Sequence, residues 1–158
     1  MLIIKLLSTG PLECDGDVLF DNVVTFRRDD AVIELPTFDM GLSGDIYFEF
    51  KTTSEKTMII IHSQGSNGDF IKVSLINGNH IQFEYDSGKG PQGVTVETAY
   101  RLDDDTWHSV LVEKNRKEAM VVIDGARKGH VKETRGPVRP MILDSGLFVG
   151  ATRDFSDG

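Results

Sequence analysis

The 158-residue sequence predicts an all-β fold, a two-sheet antiparallel β-sandwich. Short runs rich in β-branched and aromatic residues recur along the chain, and apolar and polar positions alternate within them. Glycine, asparagine, serine or proline stands between successive runs. No segment carries a convincing helical period. Together these observations favour many short strands over any mixed or helical fold.

The first strands are predicted between residues 17 and 35. There, apolar runs flank the polar turn Arg27–Asp30, which indicates two paired strands, and Pro36 ends the second. Before them, Met1–Leu7 is apolar but is interrupted by Lys5. We interpret residues 1–16 as a linker or an artificial leader, and residues 17–158 as the domain itself.

The segment from Gly44 to Thr52 is the clearest half-buried strand. Because strand side chains alternate between faces, Ile46, Phe48 and Phe50 share one face, with polar residues on the other. Further strands are predicted from Met58, Asp69, His80, Gly93, Trp107, Glu118 and Gly146.

Two dipeptides predict tight hairpins, Asn77-Gly78 and Asp124-Gly125. The strands around the polar connection Lys114–Lys117 have four inward candidates if alternation holds, namely Val110, Val112, Met120 and Val122. At the end of the chain, Arg153–Gly158 is typical of a turn that precedes another strand, so we expect the last strand to be missing.

Composition excludes several classes of function. With 17 Lys and Arg against 25 Asp and Glu, the net charge is -8, which opposes general binding to nucleic acid. No apolar stretch is long enough for a spanning helix, so direct membrane insertion of this chain is not expected. Cys14 is the single cysteine and cannot form a disulfide within the chain.

Four segments carry a family resemblance. They are LPTFDMGLSGDIYFEFKTT, GDFIKVSLINGN, LDDDTWHSVLVEKNRKEAMVVIDG and LDSGLFVGATRDFSDG. Together they resemble the laminin G, or LNS, domain of neurexins and contactin-associated proteins, over Asp17–Gly158. The DDTWH segment ending at His108 is the most diagnostic, and EKNRKEA from Glu113 is most similar to contactin-associated proteins.

The resemblance implies a jelly-roll sandwich of the laminin G and concanavalin-like type. It further implies an extracellular portion of a single-pass plasma-membrane protein at a cell junction or synapse. The implied partner is a cell-surface protein such as a contactin. The family usually continues with a G-C-I-R strand that is absent here, which leaves Cys14 without an assigned partner.

The resemblance also implies a calcium site at the rim of the sandwich. The family pattern carries over to the side chain of Asp69 and the main-chain carbonyls of Ser87 and Leu143, with Asp144 as a further oxygen donor. Calcium is a hard cation that accepts such a mixed set of oxygen ligands. The alternative is that Asp69 only caps the turn before its strand.

Basic clusters raise a second binding hypothesis, a glycosaminoglycan or carbohydrate site. It requires neighbouring hairpins to bring their cations together, since screening acts over about 8 Å. The alternative is that these residues keep hairpin tips soluble. The candidates are Arg27, Arg28, Lys114, Arg116, Lys117, Arg127 and Lys128.

Catalysis is not expected. No E-x-D-x-E run or other paired-acid motif occurs, and the glutamates are scattered singly. We interpret Asp103–Asp105 as a solvated turn rather than a metal cluster, and Trp107 as a core residue rather than a sugar platform. His62 and His108 are interpreted as surface or hydrogen-bonded histidines.

Overall fold

A computed structural model describes residues 1–10, 22–28, 30–37, 40, 43–132 and 139–152. Within these ranges the chain forms twelve strands in two six-stranded antiparallel sheets, which confirms the predicted fold class. The described ranges contain no helix, and hence none long and apolar enough to cross a membrane. Cys14 and the predicted turn at 153–158 lie outside the described residues.

The strands are β1 (Leu2–Gly10), β2 (Asn22–Phe26), β3 (Val32–Leu35), β4 (Gly44–Thr52), β5 (Met58–Gln64), β6 (Phe70–Ile76), β7 (His80–Asp86), β8 (Gln92–Glu97), β9 (His108–Lys114), β10 (Glu118–Ile123), β11 (Arg127–Lys132) and β12 (Leu147–Thr152). The first sheet has the order β11-β10-β9-β4-β1-β2, and the second has the order β3-β12-β5-β6-β7-β8. β8 packs against β10 and β11, so the two sheets face each other.

The core lies between the sheets and is supplied by alternate residues of the central strands. In β4, Ile46, Phe48 and Phe50 are fully buried, as their alternation predicts. The facing side chains of β7, Ile81, Phe83 and Tyr85, are also fully buried. Burial of such large apolar and aromatic side chains is the main favourable term in folding.

Both predicted hairpin turns are present. Asn77 and Gly78 have φ of 53° and 72°, and Asp124 and Gly125 have φ of 53° and 70°. Consecutive left-handed residues are what a two-residue hairpin loop with the twist of the flanking strands requires. The β6–β7 and β10–β11 hairpins follow directly from these dipeptides.

The N-terminal segment differs from the linker interpretation. β1 pairs with both β2 and β4 inside the first sheet, and Leu2 and Ile4 are each 1% exposed. Lys5 pairs with Glu49 of β4 and Val23 of β2, on the face opposite these core residues. The single lysine that breaks the apolar run therefore fits the alternation of a central strand.

Other local predictions need correction. β2 and β3 exist, but they lie in different sheets and do not pair with each other, since β2 pairs with β1 and β3 with β12. In β10 the fully inward residues are Ala119, Val121 and Ile123, whereas Met120 is only half-buried. The phase of β10 is thus shifted by one residue, although Val122 is also buried, at 9% exposure. Val110 and Val112 of β9 are buried as predicted.

Candidate functional site at the rim of the sandwich

The predicted calcium residues meet at one end of the second sheet. We call this the rim and define it as residues 64–69, 86–88 and 139–146. The turn between β5 and β6, the end of β7 and the segment that leads into β12 come together there. Loops gathered at the end of a sandwich are a usual place for binding residues.

Asp69 is the most buried polar residue of the rim, at 1% exposure. Both of its carboxylate oxygens are occupied by the guanidinium of Arg139, which donates from Nη1 to Oδ2 at 2.9 Å and from Nη2 to Oδ1 at 2.7 Å. The main-chain N–H of Ile142 also donates to Oδ2, at 3.0 Å. This Arg139–Asp69 pair is a bidentate, charge-assisted contact, the strongest class of side-chain hydrogen bond.

The pair fixes the charge of Asp69. Burial by itself raises the pKa of a carboxyl, but the hydrogen bonds from Arg139 and Ile142, together with the positive charge of Arg139, hold the pKa of Asp69 below its ordinary value. The carboxylate is therefore ionised at neutral pH and fully compensated by groups of the same chain.

The other predicted calcium residues differ from Asp69 in their burial and in their hydrogen bonds. Ser87 and Leu143 are buried, at 5% and 6% exposure. Asp144 is exposed, and its carboxylate accepts hydrogen bonds from the N–H and hydroxyl of Ser66, at 2.7 and 2.6 Å. The carboxylates of Asp69 and Asp144 therefore bind different partners, Arg139 and Ser66.

A calcium ion does not fit this donor set as it stands, because the carboxylate of Asp69 is filled by Arg139 and Ile142 and that of Asp144 by Ser66. In the part of the chain that the structure describes, no group of three or more His, Cys, Asp or Glu side chains could hold a metal ion. The calcium site stays a prediction, and the geometry gives it no support.

The basic residues of the glycosaminoglycan hypothesis do not converge. Arg27 and Arg28 follow β2 at one edge of the first sheet, and Arg127 and Lys128 lie in β11 at the opposite edge. Five strand spacings separate these edges, about 24 Å. That distance exceeds the screening length of about 8 Å, so the two pairs do not add to one field.

The third basic cluster lies at the other end of the same sheet. Lys114 ends β9 opposite Gly44, and it is buried, with Nζ 5.0 Å from the centre of the Tyr85 ring. Arg116 and Lys117 are exposed in the β9–β10 turn. Lys114 therefore packs as a cation over an aromatic ring and leaves two surface cations in this cluster.

Sequence reasoning missed a cluster of polar residues at the start of β9. His108 is 6% exposed, and its two ring nitrogens face carboxylates, Nδ1 at 2.9 Å from Asp124 Oδ2 and Nε2 at 2.7 Å from Asp104 Oδ1. The hydroxyl of Tyr100 also donates to Asp124, at 2.7 Å, and that of Thr106 donates to Asp104, at 2.7 Å. We call these five residues the His108 cluster.

The cluster favours the cationic form of His108. Burial alone lowers the pKa of a histidine, but the hydrogen bonds and charges of Asp104 and Asp124 outweigh it and raise the pKa of His108 above its ordinary value. The hydrogen bond to Asp124, with burial, also raises the pKa of Tyr100 to about 12. The interpretation of His108 as a hydrogen-bonded histidine is confirmed, and its partners are the DDTWH turn and the DG hairpin.

Trp107 is not a core residue, because it is 44% exposed. The alternation of β9 places His108, Val110 and Val112 inward and so turns Trp107 outward. His62 lies in β5 and stacks on Phe148 of β12, with ring centres 4.9 Å apart. Burial, with the charge of Lys72, lowers the pKa of His62.

Comparison with known sequences identifies a family and relatives that include a neurexin. The family described as Laminin G domain matches residues 50–157. Neurexin-4 of Drosophila melanogaster is 56% identical over 151 residues, which is 96% of this chain and 12% of that protein. The chain thus spans about an eighth of the length of this relative.

Solved structures share the fold. Domains LG4-5 of the mouse laminin alpha1 chain match with a TM-score of 0.67 and 22% identity, covering 77% of this chain and 32% of that one. The CBM40 domain of a Ruminococcus gnavus IT-sialidase matches with TM-scores of 0.53 to 0.55 in three structures and 14% identity, covering 75% of this chain and 77% of that one. At these identities the likeness concerns the fold alone.

Proposed function

The chain belongs to the laminin G domain family, and we propose that it is an extracellular protein-recognition module of a neuronal cell-adhesion or junction membrane protein. The observation that carries this proposal is the 56% identity with Neurexin-4 across 96% of the chain. The proposed partner is a cell-surface protein such as a contactin, since EKNRKEA from Glu113 is most similar to contactin-associated proteins. The parent would be a single-pass plasma-membrane protein at a junction or synapse.

The same proposal treats the domain as non-catalytic. The arrangement most similar to catalytic machinery is the His108 cluster, where Thr106 Oγ1 lies 3.2 Å from Nε2 and Asp124 lies at Nδ1, as in a hydroxyl–histidine–carboxylate triad. Asp104, however, lies 2.7 Å from Nε2, and a carboxylate at hydrogen-bond distance only accepts, so this contact requires a proton on that nitrogen. A histidine with both nitrogens protonated has no lone pair with which to accept the proton of Thr106.

A binding measurement tests the recognition role. The purified chain is immobilised, and soluble contactin ectodomains are passed over it in millimolar calcium and then in EGTA. We expect saturable binding. Binding that is abolished by EGTA would support the predicted calcium ligands Asp69, Ser87, Leu143 and Asp144, and binding that EGTA leaves unchanged would keep the recognition role without a metal.

Competition with heparin tests whether the domain binds a glycosaminoglycan rather than a protein partner. We expect heparin to leave contactin binding unchanged, because the exposed basic residues lie in three separate places. Two double variants serve as controls at two of these three places, Arg127→Glu/Lys128→Glu and Arg116→Glu/Lys117→Glu. Heparin retention that either variant abolishes, with no saturable contactin binding, would replace protein recognition by glycosaminoglycan binding.

A further inference from the structure

The rim holds a side-chain cation where the family resemblance implies a metal cation. We propose that the guanidinium of Arg139 takes the place of that ion, so that the rim of this domain is assembled and held without calcium. The side chain joins the three segments that form the rim, residues 64–69, 86–88 and 139–146.

The first observation is the saturation of Asp69. A carboxylate buried to 1% exposure needs a compensating positive charge, and Arg139 supplies one with matching fork geometry at 2.7 and 2.9 Å. The N–H of Ile142 occupies a further lone pair of Oδ2. A metal ion at Asp69 would have to displace a cation that belongs to the chain and cannot diffuse away.

The second observation is the space made for the guanidinium at the end of β7. Gly88 has φ of 102°, and a Cβ there would lie 2.4 Å from Nη2 and 2.7 Å from Nε of Arg139. The guanidinium therefore lies directly against the backbone of residue 88, where a side chain would crowd it and where the positive φ favours glycine. Asp86, whose charge also raises the pKa of Arg139, accepts a hydrogen bond from Gly88 N at 2.7 Å.

The third observation is that hydrogen bonds within the chain hold the segment of Arg139 against the turn between β5 and β6. Gln64 and Ser145 are joined by two hydrogen bonds, one from Gln64 N to the Ser145 hydroxyl and one from Ser145 N to Gln64 O, both 2.9 Å. Asp144 binds Ser66. At Gly65 a Cβ would lie only 2.1 Å from the carbonyl oxygen of Ile142, so the backbones are in close contact.

Thermal unfolding of the whole chain tests the proposal, with the melting temperature measured in EGTA, in millimolar calcium and in millimolar magnesium. We expect the wild type to melt at one temperature in all three. Arg139→Gln removes the cation and keeps much of the side chain, and we expect it to lower the melting temperature in EGTA by about 10 °C. Calcium, and not magnesium, should then restore part of that loss, since Asp69 is left without its counter-charge.

Arg101→Gln is the matched control, because Arg101 also makes a bidentate contact, to Asp103 at 2.9 and 2.6 Å, outside the rim. It should gain no calcium response. A rise in the melting temperature of the wild type with calcium would overturn the proposal, and so would an Arg139→Gln variant as stable as the wild type in EGTA. A variant that is destabilised but stays indifferent to calcium would still support the role of Arg139 as the cation of the rim.

If Arg139→Gln fails to fold, calorimetric titration of the wild type with calcium tests the proposal by itself. Heat that fits one site and is absent from Asp69→Asn would overturn the proposal, and absence of heat would support it. None of these measurements involves a partner protein, so the result is independent of the proposed recognition function.

Discussion

The Arg139–Asp69 pair and the His108 cluster both place a cation against carboxylates, at different parts of the sandwich. Asp69 is buried, Asp124 is half-buried and Asp104 is exposed. The guanidinium of Arg139 keeps its charge over the whole accessible pH range, whereas the imidazolium of His108 loses a proton as pH rises through its raised pKa. The bidentate contact of Arg139 is therefore insensitive to pH, whereas the contacts of His108 with its two carboxylates depend on pH.

Breaking the arginine pair should have the largest effect. Asp69→Asn leaves Arg139 and the N–H of Ile142 without their charged acceptor, and we expect a loss of about 3 to 5 kcal/mol in the free energy of unfolding. Urea denaturation at neutral pH measures it. Asp144→Asn, at an exposed carboxylate of the same rim, should cost much less, because solvent screens its contacts, and equal losses for the two variants would contradict the distinction.

Removing the titrating cation should have a smaller effect that depends on pH. The folded-state pKa of His108 is raised, so its contribution is complete below the ordinary value of 6.5 and is lost as pH rises through the folded-state value. We expect His108→Gln to cost about 2 to 3 kcal/mol below pH 6.5 and less above it.

Urea denaturation across this pH range checks the expectation for His108. The cost of Arg139→Gln, measured in parallel, should stay constant over the same range, because arginine does not titrate there. A constant cost for His108→Gln would remove the difference between the two regions.

Asp104→Asn tests the cause of the shift. Loss of this carboxylate removes one of the two charged acceptors of His108, so the pKa of His108 should fall, while Asp124 continues to hold Nδ1. NMR titration of the imidazole resonances measures it. Asp105→Asn is the control, because Asp105 has φ of 58°, which asparagine tolerates, and no shift of the histidine pKa is expected from it.

Trp107→Ala should have the smallest effect. The side chain is 44% exposed beside the His108 cluster, so truncation should change the free energy of unfolding by about 1 kcal/mol or less. Phe50→Ala, at a fully buried ring that contacts His108, should cost about 3 to 5 kcal/mol by the same denaturation measurement. A large loss for Trp107→Ala would show that the cluster depends on its outward neighbour.

Local sequence signals predicted the parts of the fold that local physics determines. The alternation of Ile46, Phe48 and Phe50 and the left-handed dipeptides at Asn77 and Asp124 are visible within a few residues, and the structure confirms them. The apolar run of β1 was ambiguous because its burial depends on β2 and β4, which no local pattern specifies.

The candidate site was predicted only in part, for a related reason. Asp69 was singled out, but its partner Arg139 lies 70 residues away in sequence and carries no motif. The contacts of His108 with Asp104 and Asp124 span 4 and 16 residues, so a loop and a hairpin that each looked like solvated turns combine into one cluster around the buried ring of His108. Pairing between distant segments is decided by the sheet topology.

The edge strand β3 has a consequence for the order in which the sandwich is assembled. β3 has β12 as its neighbour in the second sheet, and β12 lies between β3 and β5. Val32 of β3 pairs with Gly150 of β12. More than a hundred further residues must therefore be synthesised after β3 before its partner strand can form. Closing so long a loop is slow, and until β12 arrives both β3 and the β5 edge are open to other nascent chains.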